Sequence, residues 1–272
     1  MTIPGPEKPI RRVLVALDAS SPTPAALETA AALADRLGAD LEALFVEDVD
    51  LLRAAALPFA GLVSVAGGAA LAPETIPAAV RALGERARAA LAAVASASLR
   101  WTFRVARGRV EVEVLQAAGG ADLLVLGGAR GALGGRGGAT AAAVATRAAL
   151  PVLVLGASGR PYPLIVAWDG SASAEAALDL AVRLSAAWAG PLRLVVAAAG
   201  PADAERLAAA AASRVGRPLP WRWAGGAAPG DLRRALAGDA ALVVGAASPV
   251  AGGIPGLERL LAEARGPVLL SR

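Results

Sequence analysis

The sequence predicts an α/β protein of two domains, each a parallel sheet covered by helices. Three observations predict it: one pattern occurs twice, each copy alternates short apolar runs with amphipathic stretches, and those apolar runs are continuous. Residues 11–48 align with residues 162–199 at a constant offset of 151, which places Val15, Ala16, Asp18 and Ser20 on Val166, Ala167, Asp169 and Ser171. The halves also end alike, Ala149-Leu150-Pro151-Val152-Leu153 being echoed by Arg265-Gly266-Pro267-Val268-Leu269. A repeat this long is one domain duplicated. The boundaries fall at residues 1–157 and 158–272, with Gly156–Pro163 as linker. A chain of 272 residues accommodates two domains of ordinary size.

In the first half Arg12–Leu17 is an apolar run ending at Asp18, the pattern of a strand buried on both faces. Ser20, Ser21 and Thr23 offer N-caps, and Pro22 and Pro24 suit a first helical turn. Ala25 to Leu37 then carries Leu27, Ala30, Ala31, Ala34 and Leu37 on one stripe of a helix, with Gly38 placed to end it. Leu41–Val46 is the second strand. A helix opening at Thr75 or Pro77 runs to about Ala97, and Arg100–Val105 is the third strand. Val110 to Val114 alternates like a strand, but continues into Leu115, Ala117 and Ala118 where a β–α–β unit needs its crossover, so helix is predicted. Ala121–Leu126 and Pro151–Leu155 complete five strands. The second half repeats this with strands at Leu164–Trp168, Leu192–Ala197, Leu219–Trp223, Ala241–Gly245 and Pro267–Leu270. Its helices fall over Ala174–Ala187, Ala202–Val215 and Asp231–Ala237. The offset falls to 118 at the fourth strands, Val125 on Val243, so the second half lacks 33 residues between its second and fourth strands. Regular alternation of this kind makes parallel, helix-covered sheets.

Composition excludes several functions. Hydrophobic content of 56% and mean hydropathy of +0.55 look membrane-like, but alanine, a helix former, inflates both. The uncharged run Ala54 to Pro73 has the length of a span, yet its proline, serine and glycines read as a loop or lid. The N-terminus has no apolar core of a signal peptide, and a cytoplasmic protein is expected. The pI of 10.7 reflects arginine in place of lysine over a net charge of only +4. The arginines are scattered and aromatics make up 3%, which supports no nucleic-acid surface. With no cysteine and no histidine there is no thiolate or imidazole chemistry and no ordinary zinc site.

Two loops are candidates for function. Open parallel sheets bind ligands beyond the carboxyl ends of their strands, where strand order reverses. Asp18 follows the first strand. The run from Gly127 to Thr140 (GGARGALGGRGGAT) follows the fourth and leads into a helix, so its backbone amides are free to approach phosphate oxygens. Arg130 and Arg136 add charge. A surface loop in a glycine- and alanine-biased chain reads equally well. Glu47, Asp48 and Asp50 cluster after the second strand, where a nucleotide's Mg²⁺ would find a ligand, although a solvated strand end is the simpler reading. Trp221 and Trp223 share one face of a strand and are expected against a helix; Trp101 and Trp188 read as core or interface fillers.

On these residues the chain resembles a tandem universal stress protein: a first strand ending in Asp-x-Ser, a fourth followed by glycines, and a closing helix before Pro-Val-Leu in each half. The resemblance implies two flavodoxin-like (Rossmann-like) domains, each an open sheet of five parallel strands with helices on both faces, packed as a pseudo-dimer. Val152–Leu155 and Val268–Leu270 are then expected to meet antiparallel. Members of that family divide into ATP-binding and non-binding branches. The binders carry glycine, two residues, glycine, nine residues, then glycine and a hydroxyl residue. By this resemblance Asp18 is the adenine-side aspartate, the Val46 backbone meets adenine, and Gly127 or Gly128, Gly131 and Gly138 form the phosphate loop. Only six residues separate Gly131 from Gly138, the hydroxyl position falls on Ala139, and Thr140 stands next to it. The second half keeps Asp169, Gly170 and Ser171 but has Ile254 and Pro255 where glycine and hydroxyl belong, and proline has no amide to donate. Its aspartate is expected as a cap or turn residue.

The resemblance implies a cytoplasmic stress-response protein, sensing or regulatory and without efficient catalysis, with ATP or AMP, and Mg²⁺ beside it, in the first domain and none in the second. A nucleotide-independent scaffold fits the same residues, and a slow ATPase working through a carboxylate or ordered water fits them less well. The partners expected are the second domain and an adenine nucleotide, with no nucleic acid and no membrane.

Overall fold

The computed structural model describes residues 9–18, 24–55, 75–127, 136–155, 163–235, 241–264 and 266–272. Ten strands join in one sheet. In the first half they are β1 (Arg12–Asp18), β2 (Asp40–Asp48), β3 (Trp101–Gly108), β4 (Leu123–Leu126) and β5 (Val152–Val154). In the second they are β6 (Leu164–Trp168), β7 (Leu192–Val196), β8 (Trp221–Trp223), β9 (Ala241–Gly245) and β10 (Val268–Ser271). The order is β3-β2-β1-β4-β5-β10-β9-β6-β7-β8, so the second half's strands mirror those of the first. All neighbours run parallel except β5 and β10, which are antiparallel with Leu153 opposite Leu269.

Continuous apolar strands require cover on both faces, and the helices supply it. One face is covered by α1 (Pro24–Leu37), α3 (Ile76–Val94), α6 (Ala172–Trp188) and α7 (Pro201–Val215), which bury Leu33, Val80, Leu178 and Ala204 against Val15, Phe45 and Val166. The other is covered by α4 (Val110–Ala118), α5 (Arg136–Arg147), α8 (Pro229–Ala235) and α9 (Gly253–Glu263), which bury Val114, Val144, Leu232 and Leu257 against Leu124 and Val244. Val114 and Ala118, four residues apart, are buried while Val112 is exposed, so the 110–118 stretch follows helical spacing. Gly38 ends α1 at φ +63°, the left-handed conformation that glycine adopts without steric cost.

The two halves meet through more than β5 and β10. The α1 helix packs on α6, and α5 on α9. Arg36 Nη1 donates to the Trp188 carbonyl at 3.2 Å, and Arg272 Nη2 donates to the Ala145 carbonyl. Trp188 is buried and Trp101 half-buried, both against the core.

Two regions add to or depart from the reading of the sequence. The second strand ends in partly exposed acidic residues, as the simpler reading has it, and runs directly on into α2 (Val49–Ala55), a helix the sequence reading did not include. Asp48 Oδ1 accepts the Asp50 amide at 2.9 Å, and Asp50 lies 3.8 Å from Arg53 and 3.5 Å from Arg109, as a helix-start turn does. Among the described residues no three acidic side chains are grouped to hold a metal ion. Trp221 and Trp223 are not buried under a helix: they are 41% and 38% exposed. Among the described strands theirs is the outermost, with one flank unpaired there, and Trp223 Nε1 donates to the Ala198 carbonyl at 2.9 Å.

Candidate functional site

Strand order reverses between β1 and β4, whose chain connections run to opposite sides. That switch point is where a doubly wound sheet opens a crevice. Asp18 is the last residue of β1 and pairs in register with Val46 of β2, which is fully buried. Ala16 of β1 pairs with Leu126 of β4, so the half-buried Gly127 leaves the sheet beside the end of β1. The sheet therefore brings Asp18, Val46 and Gly127 to one edge.

The helix α5 begins at Arg136, which places Gly138 in its first turn. First-turn amides have no carbonyl partner within their own helix and carry the positive end of its dipole. Thr140, four residues after Arg136, is half-buried and engaged in a contact of its own. Gly128, Arg130 and Gly131 lie outside the described residues, as do the cap candidates Ser20, Ser21 and Thr23.

The corresponding crevice of the second half, between β6 and β9, is closed by its own side chains. Asp169 Oδ1 accepts the Ser171 amide at 3.0 Å and the Ser171 hydroxyl at 2.6 Å. Ser171 caps α6, its Oγ accepting the Ala174 amide at 3.2 Å. Asp169 Oδ2 accepts the hydroxyl of Ser248, which is 2% exposed, at 2.6 Å. Ser173 Oγ accepts the Ala247 amide at 3.1 Å, and a Cβ on Gly245 would stand 2.3 Å from the Ser173 carbonyl oxygen. The chain leaving β9 thus lies directly on the start of α6. Asp169 is a turn residue, as its sequence context indicates. Ser248 was not legible as its neighbour; the only signal is a serine in the loop where the first half has glycines.

A sheet of this strand order with helices on both faces and a crevice at its switch point defines a doubly wound α/β protein. The sequence profile of the Universal stress protein family matches residues 9–156, and the chain belongs to that family. No curated protein matches it. Among solved structures, a universal stress protein from Archaeoglobus fulgidus DSM 4304 superposes with a TM-score of 0.62 at 17% identity, over 96% of each chain. A putative universal stress protein from Pseudomonas aeruginosa UCBPP-PA14 gives 0.63 at 15% identity, over 96% of this chain and 93% of that one. At such identities the likeness is one of fold. A universal stress protein crystallised in complex with cAMP aligns with 54% of this chain at 20% identity and a TM-score of 0.37. No helix among the described residues is long and apolar enough to cross a membrane.

Proposed function

We propose that the protein is a cytoplasmic, sensing or regulatory member of its family that holds an adenine nucleotide, ATP or AMP, in the first half only. The observation that carries the reading is the convergence of Asp18, Val46 and Gly127 at one switch point, with the start of α5 and Gly138 beyond them. In this reading Asp18 and the Val46 backbone meet the base. Amides of Gly127, Gly128, Gly131 and Gly138, with Arg130, face the phosphates, and Thr140 supports the wall. Mg²⁺ accompanies ATP through its phosphates. The second half is a structural partner, because Asp169 already spends both carboxylate oxygens on its own loop. The halves act as two domains, 1–157 and 158–272, forming an internal pseudo-dimer through β5 and β10, which removes an exposed sheet edge from each. The protein carries out no efficient catalysis.

The test is mass spectrometry of small molecules that co-purify with the protein, followed by thermal shift with ATP and with AMP. A co-purifying adenine nucleotide and a shift lost in Asp18→Ala support the reading. Absence of both leaves a nucleotide-independent scaffold. Conversion of ATP above background, abolished by Asp18→Ala, would instead establish a slow ATPase.

A further inference from the structure

A cavity of about 670 Å³ lies at the opposite end of β1 and β4 from the crevice, among residues that no nucleotide reading uses. Its walls come from both halves. The first half contributes the residues preceding β1, β4 and β5 and the ends of α4 and α5, and the second contributes Leu180 and Arg183 of α6 and Arg272 beyond β10. The cavity therefore exists only where the two halves are joined.

Its chemistry is two-sided. Leu115, Leu150 and Leu180 give it an apolar wall, and three guanidinium groups, those of Arg147, Arg183 and Arg272, share it with one carboxylate, that of Asp122. That carboxylate is already engaged, its Oδ2 accepting the amides of Arg11 at 2.9 Å and Arg12 at 3.1 Å. Carbonyls at the ends of α4 and α5 attract cations, and this accounts for part of the positive charge. The end of α4 is served by Arg12, whose Nη1 donates to the Gly120 carbonyl at 3.0 Å, and the end of α5 by Arg272. Arg147 pairs through Nη1 with Glu111, which lies outside the cavity wall. A guanidinium has five donors in a planar fork suited to a two-oxygen anion, and the bonds to Glu111 and to the Ala145 carbonyl each engage one nitrogen, of Arg147 and of Arg272 respectively. Partial burial holds the Arg272 guanidinium below its ordinary pKa, the mark of a cation short of solvation.

We propose that this cavity binds a small amphipathic oxyanion, a carboxylate or phosphate on an apolar body, between the two halves. The guanidinium groups of Arg147, Arg183 and Arg272 take the anion, and the leucine wall takes the apolar body. The volume lies within the range of small-molecule sites. The proposal is independent of the nucleotide reading, since it uses none of the residues around Asp18.

Isothermal titration of the full chain with sodium octanoate, with octyl phosphate and with neutral octanol tests it. Saturable binding of either anion, at least tenfold tighter than octanol and weakened by raised salt, is expected; the tighter of the two anions identifies the head group. Arg147→Gln and Arg183→Gln should each weaken it roughly tenfold, the size of one charge-assisted hydrogen bond. Asp18→Ala should leave it unchanged. If Arg183→Gln loses its circular-dichroism spectrum, Arg147→Gln decides alone, because its side chain is 64% exposed and its replacement does not disturb the core. No saturable heat from either anion, octanol binding as tightly as they do, or indifference to Arg147→Gln overturns the proposal.

Discussion

Leu153 and Leu269 face each other across the one antiparallel seam among the described strands, and each is 1% exposed. Both belong to the core cluster packed beneath the α1–α6 face, so helices hold the space open when either is shortened. Leu→Ala at such a site costs about 3 kcal/mol, from lost burial plus the cavity left behind. For a cooperative unit of this size that is a fall in Tm of about 6–12 °C. Thermal and urea unfolding of Leu153→Ala, Leu269→Ala and the double variant, followed by circular dichroism, gives the coupling. Touching side chains should depart from additivity by about 0.5–3 kcal/mol, because the second truncation enlarges a cavity already made. Loosening the seam should also split one transition into two, as each half retains its own sheet and helices. Additivity within about 0.5 kcal/mol, with each single variant losing less than about 1 kcal/mol, would refute the seam as described.

Three further outcomes are expected. Ser248→Ala leaves Asp169 Oδ2 without its buried donor and should destabilise the protein by about 1–3 kcal/mol in urea unfolding, with no effect on any ATP-induced thermal shift. Gly245→Ala drives a methyl to 2.3 Å from the Ser173 carbonyl oxygen and should cost well over the ~1 kcal/mol expected of Gly216→Ala, which is left-handed at φ +74° but meets open space; equal losses in a denaturant series would contradict the close approach of β9 to α6. Trp221→Ser should change stability by less than about 1 kcal/mol and remove a component of tryptophan emission accessible to acrylamide, whereas quenching that is unaltered would place Trp221 in the core.

Local pattern carried far in this protein. Apolar continuity marked β1, β4 and β9, and the run on into Leu115, Ala117 and Ala118 at the place of a β–α–β crossover resolved a stretch that also alternates like a strand. Strand limits were less legible. β2 and β3 extend to Asp48 and Gly108, beyond their apolar cores, because each has a neighbour whose backbone continues the hydrogen-bond ladder whatever the side chains are. At the candidate site, Asp18 and Gly127 were legible because their places at strand ends follow from the pattern. That Thr140 sits a turn inside α5 depended on where the helix starts, which a glycine-rich run does not signal.

The element types and the aspartate at the end of each first strand were settled by residue order, since periodicity and turn chemistry act over a few positions. The hydrogen bond from Ser248 to Asp169, 79 residues apart, was decided by tertiary structure. So were the exposure of Trp221 on an outermost strand and the meeting of Arg147, Arg183 and Arg272 around one cavity. Each depends on which strands become neighbours and which lies outermost, and that follows from packing summed over the whole chain rather than from any local run of residues.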